Sequence, residues 1–362
     1  EQRKLTVIEN LIGNKIELTY DNGLLVSITA NEVEDYVLAY DALNNLKFIT
    51  NPNGTVREFH YENDSFPFYL TGITDENGVR SATWKYDQDG RAVYSAHADG
   101  VDAGTVSYSS DQSISIDANG KQRVLQFESE FPNQIKSIEG ETCDSEGNDS
   151  VKNYSYDSYG RVTEKEDQNN IKTRYTYNSR GLRASITKLY DTDLAKTTSF
   201  LYENDNIVEP TKITLENGTV IESQYSDLGL LLSRSIKTSS EVRTTIFEYD
   251  DKGRLLLVDG PRSDVNDITT YQYYENGNLK QIANALGHKI NFNQYDTAGR
   301  VTEFVDENGK VSSFAYDIMG KITTFSQEGR TYTYSYDAVG NLIEVNNGLG
   351  AVYYVYDSAN RL

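Results

Sequence analysis

The sequence predicts an all-β protein in which one short antiparallel unit is repeated along the whole chain. Three observations support this prediction. The hexapeptide Tyr-Asp-x-x-Gly-Arg recurs with small variations, and its last four tyrosines, Tyr295, Tyr316, Tyr336 and Tyr356, are 21, 20 and 20 residues apart. Aromatic and small polar residues alternate before the motif, and a second glycine-containing turn follows it. A fixed period of this length indicates a repeat architecture, here about 16 repeats of about 20–25 residues.

The stretch from residue 331 onward shows the unit most clearly. Residues 331–336 alternate tyrosine with small polar residues, the pattern of a half-buried strand. Residues 337–340 have Asp first and Gly fourth, which is typical of a type I turn, and Gly tolerates the left-handed conformation that often follows such a turn. Residues 342–345 are then the partner strand, and a second turn at 346–348 leads to the next unit. The chain is therefore predicted to be an antiparallel meander.

The second turn of the unit is also recurrent. Residues 75–78 and 306–309 are both Asp-Glu-Asn-Gly, and Asn-Gly occurs again at 53–54, 119–120 and 217–218. Asn-Gly is the strongest short-range signal for a β-hairpin. Each repeat is therefore predicted to contain two short strands and two tight turns.

The Tyr-Asp turn supplies the candidate site residues, and their predicted role is structural. The tyrosines are expected to stack from one repeat to the next, and Asp and Arg to pair or to bind backbone at every turn. Lys321 and Asn341 replace Arg in two late copies. The predicted motif residues are Tyr86, Asp87, Gly90, Arg91, Tyr156, Asp157, Gly160, Arg161, Tyr249, Asp250, Gly253, Arg254, Tyr295, Asp296, Gly299, Arg300, Tyr316, Asp317, Gly320, Tyr336, Asp337 and Gly340.

The repeats are predicted to occupy residues 1–362 as one region. They are most regular over about 249–362 and most degenerate over about 87–155, and residues 144–149 resemble an extended surface loop. Because the chain starts and stops within a repeat, we expect it to be a piece of a longer protein.

Three units carry a longer turn that contains a proline. A proline at the start of a strand removes no ladder hydrogen bond, so an apolar strand is expected after each of these turns. The prolines are Pro67, Pro132 and Pro210, and the expected strands are Phe68–Ile73, Ile135–Ile138 and Ile213–Leu215.

The number of strands restricts the architecture. About 30 strands are expected, whereas open sheets rarely exceed about 10 strands without curling or splitting. Strand twist has one hand and accumulates along a sheet. The meander is therefore predicted to form a strip that winds into a hollow coil or shell.

The composition narrows the class of partner. The formal net charge is −21, which argues against nucleic acid and anionic membrane surfaces, because both attract clustered Lys and Arg. No apolar run approaches the roughly 20 residues of a membrane span. The chain has 28 tyrosines, which suit half-buried strands with a polar tip in water.

No catalytic, cofactor-binding or metal-binding residues are predicted. His60, His97 and His288 lie in different repeats, and Cys143 is surrounded by acidic residues that disfavour a reactive thiolate. Residues 87–90 superficially resemble a calcium loop, but the EF-hand spacing with a Glu at its twelfth position is missing. The chain is therefore predicted to be a scaffold and not an enzyme.

The Tyr-Asp-x-x-Gly-Arg unit resembles the YD repeat of the RHS family. Members include bacterial Rhs polymorphic toxins, wall-associated proteins, the C components of Tc toxins and, more distantly, teneurins. The resemblance extends over almost the whole chain and includes both turns of the unit. It implies a β-strip that spirals into a hollow shell, and a location outside the cell or at the cell wall. Few cysteines and much Asn, Lys and Tyr favour a bacterial source over a teneurin.

In the toxin branches of this family, the shell encloses a C-terminal toxin used in bacterial competition. The resemblance therefore implies two partners on the same longer chain, a toxin cargo and a C-terminal core domain that follows the repeats. That core cleaves itself near an Asp-Pro motif in many members. This sequence has no Asp-Pro pair, so self-cleavage is not assigned to it.

Two functional hypotheses remain open on the sequence. The first is a shell segment that encapsulates a toxin polypeptide, and the second is an extracellular adhesion scaffold that binds cell-surface glycans through its aromatic side chains. Both expect Tyr332, Tyr334 and Tyr336 to share one face of a strand, with Thr331 and Thr333 on the other. The shell hypothesis places the aromatic face inside, and the adhesion hypothesis places it outside.

Overall fold

The computed structural model describes residues 4–10, 13, 15–30, 33–128, 134–140 and 151–362. Within them the protein consists of 32 strands and a single turn of 3-10 helix, Ala98–Gly100. The all-β prediction and the expected number of strands are confirmed. Cys143, Pro132 and the expected loop at residues 144–149 lie outside the described residues.

The strands are short, and their bounds follow the predicted units. The first nine are β1 Val7–Glu9, β2 Lys15–Asp21, β3 Leu24–Ala30, β4 Val33–Tyr40, β5 Leu46–Thr50, β6 Val56–His60, β7 Gly72–Thr74, β8 Arg80–Tyr86 and β9 Ala92–His97. The next fifteen are β10 Gly104–Tyr108, β11 Gln112–Ile116, β12 Gln122–Phe127, β13 Ile135–Gly140, β14 Val151–Tyr156, β15 Val162–Asp167, β16 Lys172–Tyr177, β17 Arg183–Lys188, β18 Lys196–Leu201, β19 Lys212–Thr214, β20 Val220–Tyr225, β21 Leu231–Lys237, β22 Val242–Tyr249, β23 Leu255–Asp259 and β24 Thr269–Tyr273. The last eight are β25 Leu279–Ala283, β26 Lys289–Tyr295, β27 Val301–Val305, β28 Val311–Tyr316, β29 Ile322–Gln327, β30 Arg330–Tyr336, β31 Leu342–Asn346 and β32 Ala351–Tyr353.

The chain divides into two compact units. One combines residues 1–104 with residues 271–362, and the other contains residues 105–270. In the first unit, β1 to β9 pair in chain order, and so do β25 to β32. In the second unit, β10 to β24 pair in the same way. Every pairing is antiparallel, as expected for a meander.

The sheets have little conventional core. Among the described residues, the buried apolar side chains are Ala96, Ala98 and Ile207. The close backbone contacts of each strand are made with its neighbours in the meander. Most strand residues are therefore half-buried by in-plane neighbours, and many large apolar side chains remain exposed.

One predicted strand is shorter than expected. The prediction placed a strand at Phe68–Ile73, but β7 begins only at Gly72. The residues before it form two successive turns, in which the Phe66 amide binds the Asn63 carbonyl at 3.1 Å and the Tyr69 amide binds the Phe66 carbonyl at 2.9 Å. Stacking of Phe66 on Tyr69, with ring centroids 4.9 Å apart, gives these aromatic residues a local partner in place of a strand neighbour.

Candidate functional site

The aspartate of each Tyr-Asp turn organises the turn around it. At Asp296, Oδ1 accepts hydrogen bonds from the amides of Ala298 at 3.0 Å and Arg300 at 2.9 Å. Oδ2 accepts the Nε–H of Arg300 at 2.6 Å. The backbone closes the same loop, since the Asp296 amide binds the Arg300 carbonyl at 2.9 Å. One carboxylate thus satisfies two turn amides and fixes the guanidinium.

The same geometry recurs along the chain with two informative departures. An arginine Nε lies 2.6–2.8 Å from the aspartate Oδ2 in the pairs Asp87–Arg91, Asp157–Arg161, Asp250–Arg254 and Asp357–Arg361. Where Asn341 replaces arginine, its amide donates to Asp337 Oδ2 at 2.9 Å. Where Lys321 replaces it, the ammonium instead lies 5.4 Å from the ring centroid of Tyr336.

These contacts set the ionisation of the aspartates. The Arg161 guanidinium, together with the turn amides, holds the pKa of Asp157 below its ordinary value in spite of some desolvation. At Asp357 the Arg361 amide is the main cause of a lowered pKa, and the Arg361 side chain adds to it. Asp157 and Asp357 are therefore charged throughout the neutral range.

The glycine of the turn has the left-handed backbone that the sequence predicted. The φ angle is +78° at Gly160 and Gly299, and +108° at Gly340. A β-carbon on Gly340 would also overlap the ammonium of Lys321 from the preceding repeat. Residues with a β-carbon resist this conformation, and β-branched residues resist it most.

We expect Gly299→Val to lower the free energy of unfolding by about 1–2 kcal/mol. Gly340→Val should cost at least as much, because it also displaces Lys321. The matched control is Gly299→Asn, since Asn360 occupies the equivalent turn position with φ of +60°. Urea denaturation followed by far-UV circular dichroism measures the difference. Equal midpoints for Gly299→Val and the parent would contradict the turn assignment.

The tyrosine of each turn joins its repeat to the preceding one. The Tyr316 hydroxyl donates to the carbonyl of Val301, the first strand residue after the preceding turn, at 2.8 Å. The guanidinium carbon of Arg300 lies 4.8 Å from the centroid of the Tyr316 ring, and Arg300 Nη1 also donates to the Asp317 carbonyl at 3.0 Å. The motif of one repeat therefore holds the motif of the next.

This tyrosine contact is general in the chain. Hydroxyl-to-carbonyl hydrogen bonds also join Tyr40 to Leu25, Tyr86 to Leu70, Tyr156 to Ile135, Tyr177 to Val162, Tyr249 to Leu231, Tyr295 to Leu279, Tyr336 to Ile322 and Tyr356 to Leu342. A β-bulge recurs where the strand enters the tyrosine, for example between Ala315 and Tyr316 and between Ser335 and Tyr336. Bulges re-aim a side chain, which here turns the ring toward the preceding repeat.

Sequence reasoning missed these links between repeats. It expected tyrosine to stack on tyrosine, whereas the repeating contact is tyrosine hydroxyl to backbone and arginine over tyrosine. One signal was present. The residue after the basic position is aliphatic in most regular copies, as at Val162, Val301 and Ile322, and the next motif tyrosine follows 14 or 15 residues later.

A row of aromatic rings crosses five consecutive strands, β26 to β30. Its members are Phe292, Phe304, Phe314, Phe325 and Tyr332, with successive ring centroids 6.1, 5.9, 5.2 and 6.2 Å apart. We call this set the aromatic row. The row is continuous over these five strands, but it does not stay aromatic beyond them. It passes into aliphatic residues, because Tyr334 pairs with Val345 and Val345 with Val352.

The two faces of strand β30 differ as predicted. Tyr332, Tyr334 and Tyr336 are half-buried, whereas Thr331 and Thr333 are exposed. Cross-strand hydrogen bonds between small polar groups continue on the second face, such as that between Ser326 and Thr331 at 2.9 Å. The sheet therefore has an aromatic face and a hydroxyl-rich face.

The two segments of the first unit meet through their turns. Asn77 Nδ2 donates to Asp337 Oδ2 at 3.0 Å, and the Ser358 hydroxyl binds the Asp99 carboxylate. Beside these contacts lies a cleft of about 700 Å³, whose lining includes Asn51, Arg57, Glu76, Asp317, Met319 and Tyr334. The edges of the two segments are therefore in direct contact within this unit.

The histidines are dispersed, as predicted. His60 Nε2 lies 2.8 Å from the Thr74 hydroxyl, whereas His97 is in β9 and His288 is in a turn with Asn284. Among the described residues, no group of three or more His, Cys, Asp or Glu has an arrangement that could hold a metal ion. No helix in the described part of the chain is long and apolar enough to span a membrane.

Comparison with known families identifies the family of these repeats. The teneurin YD-shell family model matches residues 105–233 and 211–362, which together include more than half of the chain. The chain therefore belongs to the teneurin YD-shell family. This result confirms the resemblance to the RHS/YD-repeat family that the motif suggested.

Individual relatives are longer than this chain. A protein of Dickeya dadantii (strain 3937) named probable deoxyribonuclease RhsB is 26% identical over 201 residues, which is 55% of this chain and 13% of that protein. The chain thus spans about an eighth of the length of this curated relative. The nuclease activity in that name belongs to the relative as a whole.

Solved structures of toxin complexes share the fold. The crystal structure of TcdB2-TccC3 superposes with a TM-score of 0.70 at 15% identity, over 95% of this chain and 21% of that chain. The complex TcdB2-TccC3-Cdc42 gives a TM-score of 0.68 at 13% identity, over 97% of this chain and 23% of that one. The Tc holotoxin pore of Photorhabdus luminescens gives 0.64 at 14% identity, over 96% and 21%. These likenesses show a common fold for the matched part.

Proposed function

We propose that this chain is a segment of a hollow shell that encapsulates a toxin polypeptide made on the same longer protein. The observation that carries the proposal is the aromatic row. It lies on one face of its sheet, and its members are only half-buried there. An apolar face of this kind requires cover from water, and an enclosed polypeptide provides it.

The contacts between repeats support a scaffold role. The charged and polar groups of each motif contact turn amides, a carbonyl of the neighbouring repeat and the next tyrosine ring. These groups therefore have structural partners. We propose that the chain has no catalytic activity of its own. We further propose that it is a bacterial protein that acts outside the producing cell, in competition between bacteria or in toxin delivery. Its family membership and its structural similarity to toxin complexes support this proposal.

The accessibility of engineered cysteines on the two faces tests the proposal. In the full-length parent protein, with Cys143 replaced by serine, Thr333→Cys should react with a maleimide at least about tenfold faster than Tyr334→Cys. Removing the segment that encodes the cargo should speed up labelling of Tyr334→Cys and leave Thr333→Cys unchanged. The two residues are adjacent in one strand, so each is a control for the other.

Equal labelling rates in the full-length protein would contradict enclosure. They would favour the adhesion alternative, in which the aromatic face is exposed to bind glycans. A cargo-independent labelling rate at Tyr334→Cys would reject the cargo as the group that covers this face.

A further inference from the structure

We propose that turns on the facing edges of the two segments form complementary docking surfaces, and that Asp337 of a Tyr-Asp turn has a second role as the lateral acceptor for Asn77 of an Asn-Gly turn. Within the first unit, Asn77 at the tip of the turn after β7 donates to Asp337, which also closes its own turn. This contact between strip edges does not depend on whether the protein encloses a cargo.

The contacts between the two segments are in register. Asn77 and Asp337 are 260 residues apart in the sequence, and Asp99 and Ser358 are 259 residues apart. Asp99 and Asn77 belong to successive turns on one edge, and Ser358 and Asp337 belong to successive Tyr-Asp turns on the other. Because the two sequence separations are nearly equal, the next turn along one edge contacts the next Tyr-Asp turn along the other edge. In the second contact the Tyr-Asp turn is the donor, through the Ser358 hydroxyl, and Asp99 is the acceptor.

An identical turn elsewhere in the same unit provides an internal comparison. Residues 75–78 and 306–309 have the same sequence, Asp-Glu-Asn-Gly, and close through the same amide-to-aspartate hydrogen bonds. In the docked turn Asp75 is only 4% exposed, and the side chain of Glu76 is 7% exposed. In the other turn Asp306 is half-buried and Glu307 is exposed, whereas the asparagine at the tip is exposed in both turns. The local sequence fixes the turn, and the surroundings of each turn set the burial of its two acidic residues.

The docked turn at residues 75–78 also contains a paired, buried glutamate, which the turn at residues 306–309 lacks. Glu76 lines the same cleft as Asp317 and Asp337, so its buried carboxylate would repel theirs if it were uncompensated. Arg57 Nη2 pairs with Glu76 Oε2 at 3.0 Å, and Asn51 Nδ2 donates to Oε1 at 3.2 Å. This neutralisation lets an acidic turn approach another acidic turn. The Asn77 amide then supplies the directional hydrogen bond.

The test uses a cross-link that reports the contact between the edges. In a Cys143→Ser background, Asp99→Cys and Ser358→Cys are joined by a short bismaleimide, and the yield is measured by mass spectrometry. Asp99→Cys with Leu349→Cys is the control pair, because Leu349 lies at a fully exposed turn of the C-terminal segment that makes no contact with Asp99 among those described. The first pair should cross-link and the control pair should not.

Substitutions at the tip then test the role of the amide. Asn77→Asp places a carboxylate against Asp337 and should lower the cross-linking yield about fivefold or more, whereas Asn308→Asp in the identical turn should leave it unchanged. Asn77→Ala removes the donor without adding charge, so it should produce a smaller decrease. The double variant N77D/D337N restores a donor–acceptor pair with reversed polarity and should recover part of the yield.

Two outcomes would overturn the inference. One is an equal effect of Asn77→Asp and Asn308→Asp on the yield, which would reduce both to general charge effects. The other is a yield in N77D/D337N no higher than in Asn77→Asp. Far-UV circular dichroism of each variant separates loss of the contact from loss of the fold, and Asn77→Ala keeps the test decisive if Asn77→Asp fails to fold.

Discussion

Raising the pH above 10 is expected to unfold this protein steeply, in a transition that follows the ionisation of its motif tyrosines. Burial raises the pKa of Tyr316 and of Tyr336, and the same cause raises it at Tyr40, Tyr86, Tyr156 and Tyr295. All six hydroxyls donate to a backbone carbonyl of a preceding segment. A phenolate cannot donate, so each ionisation breaks a link between repeats and leaves a negative charge against a carbonyl.

The sign of the effect follows from linkage. A group whose pKa is higher in the folded state contributes its stability in full below the unfolded value, near 10 for tyrosine. That contribution is lost as the pH rises through the folded-state pKa. The contribution of these groups to stability should therefore be complete and independent of pH near neutrality, and it should fall above pH 10. Since the net charge is already −21, additional phenolates also increase the repulsion within the chain.

Tyr316→Phe separates the hydroxyl contribution from general repulsion. At pH 7 the variant should be less stable than the parent by about 1 kcal/mol, the usual net value of one hydrogen bond. Above pH 10 the difference should shrink and then reverse, because phenylalanine cannot ionise. Tyr353→Phe is the matched control, since Tyr353 is 70% exposed at the last strand. Urea denaturation at pH 7, 9 and 11 measures both. A difference that stays constant with pH would contradict the proposed role of the hydroxyl.

The turn chemistry was predictable because it is local. Asp first and Gly fourth is a combination that few backbone conformations satisfy, and the positive φ at Gly299 and the Asp296 hydrogen bonds are as the sequence indicated. Alternation in the strand that ends at Tyr336 similarly specified which side chains share a face. Period-two patterns and turn residues act within a few positions, so a single repeat contains the information.

The contacts between repeats were less predictable because they depend on where a strand bulges. At the bulge between Ala315 and Tyr316, the tyrosine hydroxyl reaches the Val301 carbonyl, while the ring still stacks on Phe314 with centroids 6.4 Å apart. The stacking of tyrosines from repeat to repeat was expected from the period alone, which contains no information on this bulge. The docking of Asn77 on Asp337 depends on the path of the chain over 260 residues, which no local pattern encodes.

The carboxylate of the Tyr-Asp turn should be the most sensitive side chain of a repeat. Asp296→Ala removes the acceptor of two turn amides and the partner of the Arg300 guanidinium, which then has no carboxylate beside it. Because hydrogen bonds to a charged group contribute more than neutral ones, we expect a loss of about 2–3 kcal/mol in the free energy of unfolding. Chemical denaturation at pH 7 measures this loss.

Asp296→Asn is the matched control for that loss, because the chain already contains such a turn. Asn178 Oδ1 accepts the amides of Arg180 and Leu182, both at 3.0 Å, so an asparagine can keep the amide contacts without the charge. Its cost at pH 7 should be clearly smaller than that of Asp296→Ala. Asp296 has a lowered pKa, in spite of the desolvation that opposes it, because turn amides and the Arg300 guanidinium favour the carboxylate. The contribution of the Asp296 carboxylate to stability is therefore present above the unfolded-state pKa near 4, and it is lost as the pH falls through the folded-state pKa. The advantage of the parent over Asp296→Asn should accordingly narrow below pH 4.

The comparison of the two variants at pH 7 decides whether the carboxylate is the centre of the turn. Equal losses for Asp296→Ala and Asp296→Asn would show that the amide contacts contribute nothing, and would contradict this assignment.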